Sequence, residues 1–118
     1  MNISKIKIVP VRQAFRHEAR DFTAWLEQNI DALSDRLGFR LTVLEREKAV
    51  GSFSVDLLCE DENGDLVIVE NQLEAADHSH LGQLLTYMIN LDAKTAIWIA
   101  TDAKAEHERV LDWLNETT

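Results

Sequence analysis

Asp56, Glu70, Gln72, Gln83 and Tyr87 are the residues of this chain whose types and order could do chemistry. The first three fall on two successive strands and the last two on the helix that follows, so an antiparallel hairpin could gather the first three. Two carboxylates on neighbouring strands, with amide and phenol groups on a flanking helix, suit a divalent cation and phosphodiester chemistry. Taken singly, four of the five would be ordinary polar residues. Only the elements that bring them together give them meaning.

Residues 3–11 alternate weakly and read as a short strand or extended arm ended by Pro10. From Phe22 the apolar positions Phe22, Trp25, Leu26, Ile30, Leu33 and Leu37 keep helical spacing with one buried stripe. Thr23 is the expected N-cap and Gly38 the stop. Residues 39–50 form a first strand with Leu41 and Val43 on one face, broken at Gly51. In a second strand, 53–60, Val55, Leu57 and Cys59 face one way and Ser54, Asp56, Leu58 and Glu60 the other. The third, 65–72, contains Leu66-Val67-Ile68-Val69, apolar on both faces and therefore central in a sheet. A helix from Asp77 to about Leu91, a strand at Thr95–Ala100 and a last helix over roughly 103–115 complete a mixed α/β domain.

The turn Asp61-Glu62-Asn63-Gly64 decides whether the carboxylates meet. A two-residue type I′ loop at Asn63-Gly64 would set Asp56 opposite Asn71 and put Asp56 and Glu70 on opposite faces. A type I turn from Asp61 to Gly64 with a glycine bulge would instead set Asp61 opposite Asp65 and Asp56 opposite Glu70. Asp56, Glu70 and Gln72 would then share one face. The second register is preferred, because a carboxylate ending a Val-Ile-Val run is costly unless paired or metal-bound. The alternative is that Glu70 emerges at the sheet edge into water.

On the next helix His80, Gln83, Tyr87 and Asn90 form a polar stripe opposite Leu81, Leu84, Leu85, Met88 and Leu91. Amide, phenol and imidazole groups can orient a substrate or water, whereas a solvated face usually carries Lys and Glu. Asp77 is the expected cap. His78 and His80, two apart on a helix, point about 200° from one another and do not share a metal.

The 118 residues, 46% hydrophobic, suit one domain spanning 1–118. The absence of a long apolar run argues against a transmembrane helix, and the N-terminus lacks signal-peptide character. One cysteine, Cys59, excludes an internal disulfide framework and points to a reducing cytoplasm; it reads as a small buried hydrophobe. A net charge of −9 argues against binding DNA by bulk electrostatics. The charge is uneven: Lys5, Lys7, Arg12, Arg16 and Arg20 against Glu18 leave residues 1–20 at +4 and the remaining 98 at −13. Residues 1–20 could be a phosphate-touching basic arm or a solvated lead-in. Trp25, Trp98 and Trp113 lie on apolar stripes and fit core or subunit-contact positions better than base-stacking platforms.

With this order of elements the chain resembles the PD-(D/E)XK nucleases, the restriction-endonuclease-like superfamily with its αβββαβ core and mixed sheet flanked by helices. Val55-Asp56 and Glu70-Asn71-Gln72 match its strand motifs. Gln83-Leu84-Leu85-Thr86-Tyr87 matches the Gln-X-X-X-Tyr helix of the RecB-like branch. Residues 45–115, including Val50-Gly51-Ser52-Phe53-Ser54-Val55-Asp56 and His80-Leu81-Gly82-Gln83, also look like uncharacterised bacterial members in which a further C-terminal region commonly follows. The resemblance implies that Asp56 and Glu70 bind Mg²⁺ or Mn²⁺, with the Asn71 carbonyl as a further ligand. It implies that Gln83, Tyr87 and His80 position a nucleic acid, and that a glutamate near the first helix, Glu18 or Glu27, completes the site. It also suggests DNA as substrate, a homodimer, and a downstream domain or partner protein. Two departures stand out. Val55 replaces the family's Pro, which is minor, and Gln72 replaces its Lys, which removes a cation that could position water and stabilise developing charge.

Three functions compete: a metal-dependent nuclease, a catalytically inactive nuclease-fold module that binds nucleic acid or a partner protein, and an α/β domain whose polar residues merely cap and solvate.

Overall fold

In a computed structural model, the structure describes residues 5–10, 19–75, 77–102 and 104–116. Strand β1 (Lys5–Pro10) is followed by helices α1 (Ala19–Gln28) and α2 (Ile30–Leu37). Strands β2 (Thr42–Val50), β3 (Phe53–Glu60) and β4 (Leu66–Ala75) come next, then α3 (His78–Asn90), β5 (Thr95–Asp102) and α4 (Ala105–Glu116). The five strands form one mixed sheet in the order β1-β5-β4-β3-β2. The β2–β3–β4 segment is antiparallel, while β4–β5 and β5–β1 are parallel. Thus residues 5–10 are an edge strand, whereas Arg12, Arg16 and Glu18 lie outside the described residues.

The Val67-Ile68-Val69 run of β4 is completely buried, as a strand apolar on both faces must be. Alternation divides it between two cores. Leu57, Cys59, Val67, Val69, Ile97 and Ile99 meet Phe22, Leu26 and Leu33 of α1 and α2. Leu58, Ile68, Ala96 and Trp98 meet Leu84, Tyr87 and Met88 of α3 and Leu111 of α4. Fully burying each large aliphatic side chain contributes roughly 1.5–3 kcal/mol before chain entropy is counted. Cys59 is sealed in the first core, and burial pushes its thiol up to about 12.

Three local expectations change. The first helical stretch is two helices: Asn29 leaves helical geometry at φ −127°, ψ 37°, and its side-chain amide donates to the Trp25 carbonyl at 2.8 Å. The break keeps the apolar stripe in phase, which is why spacing alone hid it. Thr23 is not a cap but lies inside α1, which begins at Ala19, and Gly38 closes α2 in the left-handed conformation at φ 86°. Val55 packs in the second core with Leu58, while Leu57 and Cys59 are in the first. Strict alternation fails on either side of Asp56; on the neighbouring strand, Glu47 adopts φ 56°. Of the tryptophans read as core or subunit-contact positions, Trp98 is core, while Trp25 and Trp113 are 41% and 62% exposed and are not in the core. Among the described residues no helix is long and apolar enough to cross a membrane.

Candidate active site

The β3–β4 turn places the site. Gly64 N–H donates to the Asp61 carbonyl at 3.1 Å, and Asp61 N–H donates to the Asp65 carbonyl at 2.9 Å. Asp61 Oδ1 accepts from the N–H groups of Asn63 and Asp65, and Gly64 takes φ 82°. This is the type I turn with a glycine bulge. The ladder accordingly pairs Glu60 with Leu66, Cys59 with Val67, Leu58 with Ile68 and Leu57 with Val69.

One step further along, Asp56 and Glu70 face each other, and carboxylates take over from backbone pairing. Glu70 Oε1 accepts the Asp56 N–H at 3.0 Å, and Asp56 Oδ2 accepts the Asn71 N–H at 2.7 Å. Among the described residues, Asp56 Oδ1 and Glu70 Oε2 have no hydrogen-bond partner, and neither is sealed from solvent. Burial and the nearby Asp56 push the Glu70 carboxyl up to about 8, against the lowering effect of its Asp56 N–H bond. Burial also raises Asp56 above its ordinary value, opposed by the Asn71 N–H. Glu47 of β2 adds negative field at Asp56, and His80 of α3, when it carries a proton on both nitrogens, opposes it. Glu47 was not foreseen; the β2–β3 register, with Arg46 opposite Leu57 and Lys48 opposite Val55, sets it across from Asp56.

Tyr87 is buried against this pair. Desolvation, then Glu70 and Asp56, raise its phenol above the ordinary value. Phe53 lies against it, ring centroids 6.5 Å apart, and is 63% exposed. Gln83, one turn earlier on α3, is half-buried, whereas Asn90 is exposed and bonds back to the Thr86 carbonyl.

Gln72 is buried and already engaged: its Nε2 donates to Asp77 Oδ2 at 3.1 Å and its Oε1 accepts from Trp98 Nε1 at 2.9 Å. The Asn71 side chain turns toward α1, where its Nδ2 donates to Thr23 Oγ1 at 2.6 Å, so only its backbone is near the carboxylates. Glu27 pairs with Arg46 at 3.7 Å. Asp77 caps α3 through the His80 N–H at 2.8 Å, and the same oxygen meets His80 Nδ1 at 2.8 Å. His78 turns elsewhere, to His107 of α4, with ring nitrogens 2.8 Å apart. Among the described residues no group of three or more His, Cys, Asp or Glu side chains is placed to hold one ion.

Three solved structures share the fold. A repair endonuclease from Pyrococcus abyssi matches with TM-score 0.70 and 17% identity, over 84% of this chain and 44% of that one. EndoMS in complex with dsDNA matches with TM-score 0.68 and 20% identity, over 89% and 43%. EndoMS in its apo form matches with TM-score 0.65 and 21% identity, over 85% and 44%. The chain therefore spans less than half the length of each. A search of curated proteins gives no match. The model of the endonuclease NucS C-terminal domain matches residues 6–110. With that match over nearly its whole length, and with the restriction-endonuclease-like fold, the chain belongs to the family of the endonuclease NucS C-terminal domain.

Proposed function

We propose that this domain hydrolyses phosphodiester bonds in DNA with a divalent cation, Mg²⁺ or Mn²⁺, held by Asp56, Glu70 and the carbonyl of Asn71. The observation that carries this reading is the Asp56–Glu70 pair. Two opposed carboxylates, one with its pKa pushed to about 8 by burial and its neighbour, gain most from a cation that allows both to ionise. Each keeps one oxygen without a protein partner among the described residues, and that donor set fits Mg²⁺, which commonly takes one or two carboxylates and completes its shell with water and phosphate. When bound, such an ion supplies a water of lowered pKa and neutralises charge on the scissile phosphate.

The chain's own groups do the rest. Backbone N–H donors at Asp56 and Asn71 hold the two carboxylates in place. Tyr87 and Gln83, the helix pair shared with the RecB-like branch, position the nucleic-acid backbone beside them. A second copy of the chain would serve the second strand, and a further domain or partner would supply the cationic surface that a net charge of −9 lacks. The engagement of Gln72 with Trp98 and Asp77 favours a second reading, a nuclease-fold module that binds without cutting.

Calorimetry with Mn²⁺, followed by plasmid cleavage, tests the reading. Wild type should bind about one ion and nick DNA, and Asp56→Ala/Glu70→Ala should do neither. Cleavage that survives in the double variant would overturn the site. Metal-independent DNA binding without cleavage would establish the second reading.

A further inference from the structure

The Gln72 amide has no freedom to replace the missing lysine, since its oxygen and nitrogen are held by Trp98 and Asp77 in a buried slot. Basic side chains on β2 are also committed: Lys48 pairs with Glu45 at 3.5 Å and Arg46 with Glu27 at 3.7 Å. The bond that holds Gln72 leads, however, to another basic group. Asp77 uses Oδ2 for Gln72 and Oδ1 for both the backbone N–H and Nδ1 of His80. A carboxylate at 2.8 Å from Nδ1 selects the tautomer with hydrogen on Nδ1, leaving Nε2 with its lone pair on the opposite side of the ring. His80 is one-third exposed and lies on α3 two turns before Tyr87, whose phenol feels both carboxylates.

Building on the nuclease reading, we propose that His80, oriented by Asp77, is the base that activates the attacking water, filling the role vacated at Gln72. Nε2 takes a proton from water as the water oxygen forms its bond to phosphorus. The ester P–O bond on the opposite side breaks, and its electron pair leaves with the departing oxygen, which takes a proton from solvent. The imidazolium then returns its proton to solvent, so the net reaction consumes one water. The Gln72–Asp77–His80 chain of hydrogen bonds starts two residues from Glu70 on β4, and the charge of a protonated His80 is felt at Asp56. The acidic groups that interact with His80 are Asp77, in direct contact with the ring, and Asp56 of β3, through charge; Asp56 is itself under the influence of Glu47 of β2.

The test is plasmid cleavage by the full chain with Mn²⁺, comparing wild type, His80→Ala, His80→Asn and Asp77→Asn. Thermal melts, Mn²⁺ calorimetry and DNA anisotropy on the same samples separate catalysis from folding and binding. We expect His80→Ala and His80→Asn to lower the single-turnover rate about 100-fold or more, with Mn²⁺ and DNA affinities within about twofold. Asp77→Asn keeps an N-capping side chain but loses the charge that orients the ring, and should slow cleavage about tenfold. Imidazole added to His80→Ala should restore part of the rate. Cleavage by wild type that persists undiminished in both His80 variants overturns the assignment of His80 alone. A wild type that binds Mn²⁺ and DNA but never cuts overturns the nuclease reading and this inference together.

Discussion

Asp56 and Glu70 hold each other through the backbone rather than by a direct carboxylate contact: Glu70 Oε1 accepts the Asp56 N–H, while Asp56 Oδ2 accepts the Asn71 N–H. The regular β3–β4 pairing ends at Leu57 and Val69, and these two side-chain bonds continue the link between the strands beyond it. The arrangement stabilises two negative groups by N–H donation, at the cost of burying like charges side by side.

That cost sets a pH dependence. Glu70 has an ordinary value of 4.5 and lies at about 8 in the fold, and Asp56 is raised as well. Between these limits the folded chain retains a proton that the unfolded chain has released, so stability falls as pH rises. Glu70→Gln keeps a side-chain oxygen for the Asp56 N–H and removes the charge. It should therefore stabilise the metal-free protein by roughly 1–3 kcal/mol at pH 8 and change little at pH 4. Urea unfolding at both pH values measures this; equal effects at the two would contradict the assigned cause.

Gln72→Lys restores the residue type usual in the superfamily, yet here it should be harmful. The ammonium offers Trp98 Nε1–H no acceptor, leaving a donor unpaired beside a residue that is 1% exposed. The expected loss is about 1–3 kcal/mol, reduced where the lysine reaches Asp77. Chemical denaturation followed by tryptophan fluorescence gives the value, and an unchanged midpoint would show that the Trp98–Gln72 bond contributes little.

Gly64 governs the hairpin register. At φ 82° a side chain is strained, although no atom lies within 4 Å of where its Cβ would sit. Gly64→Ala should therefore cost about 1 kcal/mol through the backbone alone, and Gly64→Asn less, because asparagine tolerates this conformation. Melting temperatures of the two variants test the ordering.

Much of this architecture was legible from residue order. The Val67-Ile68-Val69 run had to be central because both faces are apolar, and it is fully buried. Asp61 and Gly64 at the ends of one turn specified a register that local backbone preference is strong enough to impose, so the opposition of Asp56 and Glu70 followed from counting. Asp77 as a cap and Gly38 as a stop were readable for the same reason: each acts on backbone groups a few residues away.

What needed tertiary structure depended on groups distant in sequence. The break at Asn29 leaves the apolar stripe in phase, so periodicity is blind to it. Thr23 receives Asn71 at 48 positions' separation, and Gln72 meets Trp98 at 26; no local pattern encodes either contact. Residue types and short-range backbone rules determined which carboxylates share a face. Only three-dimensional packing decided that Gln72 is bound to its neighbours, that Glu47 adds its field to Asp56, and that Asp77 orients His80, because burial and electrostatic coupling arise from what the folded chain brings within a few ångströms.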